Sequence, residues 1–374
     1  MRTAIVSDLH LGAASGEDVA RDATVRRAML EEIADADRVV LLGDVVELRD
    51  LPLGESLQGA RPFFEELGEA LGARDVVIVP GNHDHRLAEP LLDSLSLAGG
   101  TGLGLQQRHG PSPGPTGEID DWLGPARLEI AYPGIWLRDD IYATHGHYMD
   151  CHLSIPRAEC VAAAAMLRAS RLPEQAEPRH YEQVLRPLYG FGFGLAQSGS
   201  ARLASGVARP SEAIWKLVAS SRKEGAGKGR RAAARAVKAG APAAIWTLNR
   251  LLDSSFKPDL TSAGISRAGV EAAAEMARRL RIEAEHVITG HTHRAGPVDG
   301  EAPWPIPGGG LLHNTGSWVF ADAFHHPGAP PGPYWPGVVT WVEDSGPPRR
   351  VRVLEEHPRQ ALVETVSSIR ATRR

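Results

Sequence analysis

The chain reads as an α/β fold: two β-sheets with flanking helices, interrupted by a helical cap. Short, mostly apolar runs recur along it, each ends at a cluster of Asp, His, Gly or Asn, and helix-length stretches separate the first three. The runs are 3–7 (TAIVS), 38–42 (RVVLL), 75–79 (DVVIV), 141–144 (IYAT) and 286–289 (HVIT), and all read as buried strands. Helix-like stretches at about 20–36 and 60–73 supply the β-α-β alternation of a largely parallel sheet. Ligands of such sheets collect beyond the carboxyl ends of the strands, which is where the polar clusters stand.

Residues 99–119 (GGTGLGLQQRHGPSPGPTGEI) are Gly/Pro-rich and without periodicity, so they read as an exposed connection or partly disordered loop. From about 155 to 283 Ala, Leu and Arg dominate and Pro173, Pro178, Pro210, Pro242 and Pro258 punctuate helix-length pieces. Strand-like runs return at 286–289, 310–314, 337–343 and 349–354, the last three as a mixed or antiparallel sheet. The expected organisation is a core in two parts, 1–154 and 284–374, separated by a helical insertion at 155–283.

Composition narrows the setting. The 374 residues suffice for at least one large core, and 43% hydrophobic and 23% charged residues are those of a soluble globular protein. A net charge of −5 gives no global attraction to nucleic acid. Two cysteines, Cys151 and Cys160, suggest no disulfide framework, and no apolar run approaches the ~20 residues of a membrane span. The start, MRTAIVSDLHLG, has no long apolar leader segment, so a cytoplasmic location is expected, peripheral to the membrane at most.

The clusters carry the chemistry: Asp8 and His10 in SDLH, Asp44 in LGDVVE, Asn82, His83 and Asp84 in GNHD, His145 in THGH, and His291 and His293 in GHTH. In an extended chain positions i and i+2 point the same way, so Asp8 with His10, and His291 with His293, can each aim two donors at one point. Carboxylate, imidazole and amide donors without thiolate suit Mn, Fe, Zn or Mg, with Mn the first expectation, and seven donors exceed what one ion needs. A two-metal site follows, with Asp44 as the carboxylate shared between the ions. Two ions about 3.5 to 4 Å apart suit phosphoester hydrolysis, because they activate a water and clamp the attacking and leaving oxygens.

The ordered set Asp8-x-His10, Gly43-Asp44, Gly81-Asn82-His83-Asp84, His145 and Gly290-His291-Thr292-His293 resembles the calcineurin-like metallophosphoesterase superfamily. The resemblance covers roughly 1–150 and 285–355 and implies a four-layer αββα sandwich of two mixed sheets. It implies one metal on Asp8, His10, Asp44 and His293 and a second on Asp44, Asn82, His145 and His291. It also implies that His83 meets the scissile phosphate, with Asp84 orienting its ring. The family often has Gly-Asp-x-x-Asp where this chain has Glu47 in GDVVE, so Glu47 is expected behind the ligands, on a ligand histidine or a helix N-terminus. Glu47 and GHTH followed by NTGSW (314–318) are similar to the branch containing UDP-2,3-diacylglucosamine hydrolases, whereas GNHD departs from that branch's GNRD. The expected activity is hydrolysis of a phosphodiester or pyrophosphate bond on a nucleotide- or lipid-linked substrate. The alternatives are a nuclease or a metal-bound scaffold without turnover.

THGHYMDCH (144–152) contains more than the one ligand, His145. His147 is expected to contact phosphate or support a ligand, and Asp150 and His152 to sit at a hinge or substrate mouth. His85, His109, His180, His313, His325, His326 and His357 lack spacing support and read as surface or core residues, and Trp304, Trp318, Trp335 and Trp341 as sheet packing. LYGFGFGL (188–195) reads as packing inside the cap or an apolar substrate wall. Residues 201–250 hold eleven Lys/Arg against Glu212 and Glu224. That excess reads as a solvated face; its functional readings are an anionic membrane surface, a polyphosphate substrate or nucleic acid.

Overall fold

The structure is a computed structural model, and it describes residues 1–99, 102–198, 242–259, 261–322, 325 and 331–372. The first sheet begins with β1 (Thr3–Val6), β2 (Arg38–Leu41) and β3 (Asp75–Ile78), mutually parallel and in that spatial order. Helix α1 (Ala23–Ile33) and helix α2 (Leu53–Leu71) make the crossovers. Asp22 caps α1 by accepting from the amides of Thr24 (2.9 Å) and Val25 (3.2 Å). Helix α2 starts well before residue 60 and carries Pro62 inside, where a proline read from sequence marks a helix start.

Alternation along these strands explains their unbroken apolar character. Ala4, Val6, Val39, Leu41, Val76 and Ile78 face α1 and α2, whereas Ile5, Val40, Leu42, Val77 and Val79 face the opposite way into a second apolar cluster. Both faces are covered, so no polar residue alternates in.

A short helix α3 (Glu89–Leu97) leads to β4 (Gln106–His109), α4 (Pro115–Leu123) and then β5 (Arg127–Arg138). This corrects the reading of 99–119 as an unstructured connection: Gln106–His109 pairs antiparallel with the first half of β5, and α4 packs on α2. The twelve residues of β5 serve two partners. Its first half pairs parallel with β3; from Gly134 onward it pairs antiparallel with β6 (Ile141–Thr144). Beyond β6 run β7 (His286–Thr289) and β9 (Leu311–Asn314), both parallel, edged by β8 (Trp304–Pro305). On the far side of β1 the chain adds β10 (Val338–Val342) and β11 (Arg349–Arg352), antiparallel. Among the described residues the strands thus form one curled mixed sheet of eleven, folded on itself through β5.

Ile5, Val40 and Val77 from one half and Ile141, Ala143 and Ile288 from the other share the inner cluster. On the outer face of the second half lie α5 (Ala158–Ala169), α6 (Pro178–Gln197), the helical residues 242–252 (α7) and α8 (Ser262–Arg279). Ala272, Ala273 and Met276 of α8 join Val287 and Leu312 of the sheet and Tyr181 and Leu185 of α6 in one cluster. Helix α9 (Arg359–Ala371) returns to the first side, where Leu362 and Val366 join the α1–α2 layer. The order is helices, half-sheet, half-sheet, helices. No helix among the described residues is long and apolar enough to cross a membrane.

The inner cluster is the joint on which both halves depend. Replacing the fully buried Ile135 by Ala should cost roughly 2 to 5 kcal/mol in urea unfolding, whereas Leu97→Ala, at a site 90% exposed, should stay within about 0.5 kcal/mol.

Candidate metal centre

The ends of β1, β2, β3, β6 and β7 bring together Asp8, His10, Asp44, Asn82, His145, His291 and His293, which sequence separates by up to 285 positions (293 − 8). Their backbones are unusual. Among the described residues seven that are not glycine have positive φ, and five of them are Asp8 (55°), His10 (46°), Asp44 (51°), His291 (67°) and His293 (59°). A left-handed backbone at Asp or His costs energy, and such residues gather where side chains must be aimed. The loops hold one another: Asp8 N donates to Gly43 O, His10 N to Asp44 O, and Gly290 N to His145 O, at 2.8–3.1 Å. Asn314 braces the last loop from below, donating to Gly290 O at 2.6 Å and Thr292 Oγ1 at 3.1 Å.

Two glycines leave the room this crowding needs. A Cβ on Gly43, whose φ is 80°, would fall 2.4 Å from the His145 ring, and one on Gly81 would fall 2.4 Å from Asp44 Oδ1.

The donor atoms form overlapping triads, each within 4.8 Å: Asp8, His10 and His293; His10, Asp44 and His83; Asp44, His145 and His291. Asp44 Oδ2 lies 3.6 Å from His10 Nε2 and 3.2 Å from His145 Nε2, so it faces both ends of the set. Several imidazoles are fixed by one ring nitrogen and leave the other inward. His145 Nδ1 donates to Leu42 O (3.0 Å), His10 Nδ1 to Glu47 Oε2 (3.0 Å), and His291 Nε2 to Asp150 Oδ1 (2.9 Å). Asp8 Oδ2 accepts from Ser7 Oγ and the His291 amide, whereas Asp8 Oδ1 is buried without a hydrogen-bond donor.

Asn82 stands between Asp44 and His291 on one side and Arg49 on the other. Its amide oxygen lies 3.3 Å from Asp44 Oδ2 and 3.1 Å from His291 Nδ1, and its nitrogen 3.2 Å from Arg49 Nη1. Turned over, the amide would satisfy these groups by hydrogen bonds alone. Oxygen inward, it joins a carboxylate and an imidazole in aiming three lone pairs at one place, as a cation requires, while two N–H donors meet on the outer side. The oxygen-inward state is the one to expect wherever a cation occupies the inner side and an anion the outer.

Charge follows the same plan. Burial alone would lower His10 and His145, but the Glu47 hydrogen bond and the carboxylates Asp44 and Asp8 outweigh it, holding His10 at about 9 and His145 at about 10. A field that draws positive charge this strongly onto buried rings suits divalent cations. Asp44 stays far below the usual carboxylate range: burial opposes ionisation, but His145, His83 and His10 overcome it. His293 is pushed down by burial and by neighbouring His10, which leaves a neutral ring 3.3 Å from Asp8 Oδ1.

The ring of His83 corrects one expectation. Asp84 does not orient it. The Asp84 carboxylate accepts from the backbone amides of Gly81 (2.6 Å), Asp44 (3.2 Å) and Val45 (2.7 Å), tying two ligand loops together. Glu47 holds His83 instead, accepting from Nδ1 at 2.6 Å with the same oxygen that accepts from His10. Asp150 backs His291. His147 and His152 turn away into the helical side: His147 Nε2 meets the Tyr132 hydroxyl at 3.2 Å and His152 Nε2 the Tyr181 hydroxyl at 2.8 Å.

Two cavities meet at His83 and Arg49. One, about 650 Å³, runs past Asn82 and His85 between α3 and α6; the other, about 360 Å³, is floored by His10, His291 and His293 and walled by Ile155, Ile265 and Val270. Tyr189 and Phe193 of LYGFGFGL line the first. Sequence reasoning missed Arg49, which nothing in the charge pattern marks, and the buried cluster around His85. His85 donates to Glu182 (3.0 Å) and pairs with Glu89 (3.2 Å), and Glu182 also accepts from Tyr132 and Tyr148. Of the basic stretch 201–250, all but 242–250 lies outside the described residues, and with it Lys216, Arg222, Lys223, Lys228, Arg230, Arg231, Arg235 and Lys238.

The profile of the calcineurin-like phosphoesterase family matches residues 1–186. No curated protein matches the chain.

Two outcomes are expected. Gly81→Ala, by displacing Asp44, should weaken Mn²⁺ binding in calorimetric titration by about tenfold to a hundredfold without unfolding the chain. Burial disfavours the charged His85 ring, yet Glu182 and Glu89 raise it to about 9 from 6.5, so its ion pairs stabilise fully below pH 6.5 and are lost as pH rises through about 9. The stability deficit of His85→Gln against the parent protein should therefore be largest below pH 6.5 and shrink towards pH 9, as followed by urea unfolding.

Proposed function

Because the chain belongs to the calcineurin-like phosphoesterases and is a metallophosphoesterase, we propose that it hydrolyses phosphodiester or pyrophosphate bonds at a two-metal centre built from the seven converging donors. The observation that carries this is the convergence of metal-binding atoms: Asp8 Oδ1, buried without a hydrogen-bond donor, with Asp44 and the imidazoles of His10, His145, His291 and His293 in overlapping triads, each within 4.8 Å. Asp8, His10, Asp44 and His293 would hold one ion; Asp44, Asn82, His145 and His291 would hold the other. The oxygen and nitrogen donors suit Mn²⁺ first among the divalent ions. Such a pair of ions lowers the pKa of water and offsets charge on the phosphoryl oxygens.

The protein's own residues do the rest. Glu47 holds His10 and His83 with one carboxylate oxygen, so the metal side and the substrate side keep a fixed spacing. With Nδ1 so engaged, His83 has Nε2 left for the junction of the cavities, where it can bond a phosphoryl oxygen or deliver a proton to the departing one. Water oxygen bonds to phosphorus, the opposite P–O bond breaks, and the leaving oxygen takes the proton. Two cavities meeting at His83 and Arg49 offer a place for each substituent of a doubly substituted phosphate; a monoester would use one. The apolar wall of the smaller cavity favours a lipid-like or aromatic substituent there.

With Mn²⁺ added, the protein should hydrolyse bis(p-nitrophenyl) phosphate better than p-nitrophenyl phosphate, and chelation should abolish this until Mn²⁺ is restored. Asn82→Ala and His83→Ala should each lower kcat by about a hundredfold to ten-thousandfold; retention of full activity by both would sink this mechanism.

A further inference from the structure

The larger cavity has a charge balance that diester hydrolysis alone does not call for. Its two carboxylates are committed: Glu182 to His85 and to the hydroxyls of Tyr132 and Tyr148, Glu89 to His85 and Arg186. Arg186 is spent on Glu89 and Asp93, and Arg179 pairs with Glu177 at 2.9 Å. Arg49 and Arg86 remain. Arg49 Nη2 lies 3.8 Å from Glu159 and its Nη1 3.2 Å from the Asn82 side-chain amide, while its Nε is buried without an acceptor. Arg86 makes no ion pair among the described residues and stands 5.7 Å from the centre of the Phe193 ring. A buried Arg49 Nε without an acceptor and an exposed Arg86 without an ion pair, both lining this cavity, give it positive charge that an anion would satisfy.

We propose that the larger cavity is a binding site for a substituent carrying its own negative charge, a phosphate or carboxylate beyond the scissile phosphate, held between Arg49 and Arg86. Arg49 stands beside Asn82 and His83 and lines both cavities, so it receives the anionic group next to the reacting phosphorus. Arg86 lies farther out, over Phe193, where a ring or chain attached to that group would run along Leu92, Leu95 and Phe193. Gly192 of α6 leaves room for Arg49: a Cβ there would lie 3.0 Å from its Nε. The inference rests on the diesterase reading and adds a sign to one arm of the substrate.

A matched pair of substrates separates the two. The para-carboxyphenyl and para-carbamoylphenyl esters of p-nitrophenyl phosphate have nearly the same shape and differ in one charge. In the full-length Mn²⁺-loaded protein, kcat/KM should favour the carboxylate by about fivefold or more, and raised salt should erode that preference. In Arg86→Gln and Arg86→Glu the ratio should fall towards one and below one respectively, with Arg86→Lys restoring part of it. Turnover of both esters at equal rates, or a preference that Arg86→Gln leaves intact, would overturn the anion site and leave the diesterase reading standing. Turnover of neither would overturn both.

Discussion

Five side chains of the centre stand on left-handed backbone, and the remaining structure is arranged so that they can. At roughly 1 to 3 kcal/mol each, such residues persist only where their surroundings over-determine them. The surroundings here are the carboxyl ends of parallel strands, where each loop finds the next loop's amides and carbonyls within reach. Asp84 contributes a buried carboxylate to that lacing, accepting three amides from two loops, and Asn314 supports the loop of His291 and His293. The sheet is the frame, and the strain it tolerates is what turns Asp8, His10 and Asp44 inward instead of along the strands.

The histidines show a second economy. His10, His145 and His291 each spend one ring nitrogen on a fixed acceptor, Glu47, Leu42 O or Asp150, so which nitrogen faces inward is decided before anything binds. Glu47 does this for two rings at once. A shorter Asp here would change the reach of that carboxylate: the extra methylene of Glu47 lets one oxygen serve His10 and His83 together.

Much of this was legible in the sequence because the informative residues sit where parallel strands end. Val39, Val40 and Leu41 are apolar on both faces, and Gly43 and Asp44 follow at once; such a boundary survives any uncertainty about helices. β5 was not legible, because Pro133 and Gly134 interrupt it at the position where it leaves β3 and β4 for β6. The partner of His83 was misassigned to its neighbour Asp84, since adjacency in sequence says nothing about which carboxylate a ring meets across a turn. Arg49 and Glu182 escaped notice, and His85 was left between surface and core, for a related reason. A buried charge and a surface charge are spelled with the same letter, and only packing against α6 tells them apart.

The single curled sheet also orders events in the life of the chain. β1 is made long before one of its two neighbours, β10, and Asp8 waits for an amide donated by His291. Nascent chains that stop short of β7 can shelter Asp8, Asp44 and Asn82 among apolar strands but cannot complete their surroundings. The centre can therefore be completed only once β7 and the loop after it are made, and a product truncated before them would carry an acidic, half-built site with its strand edges open to neighbours.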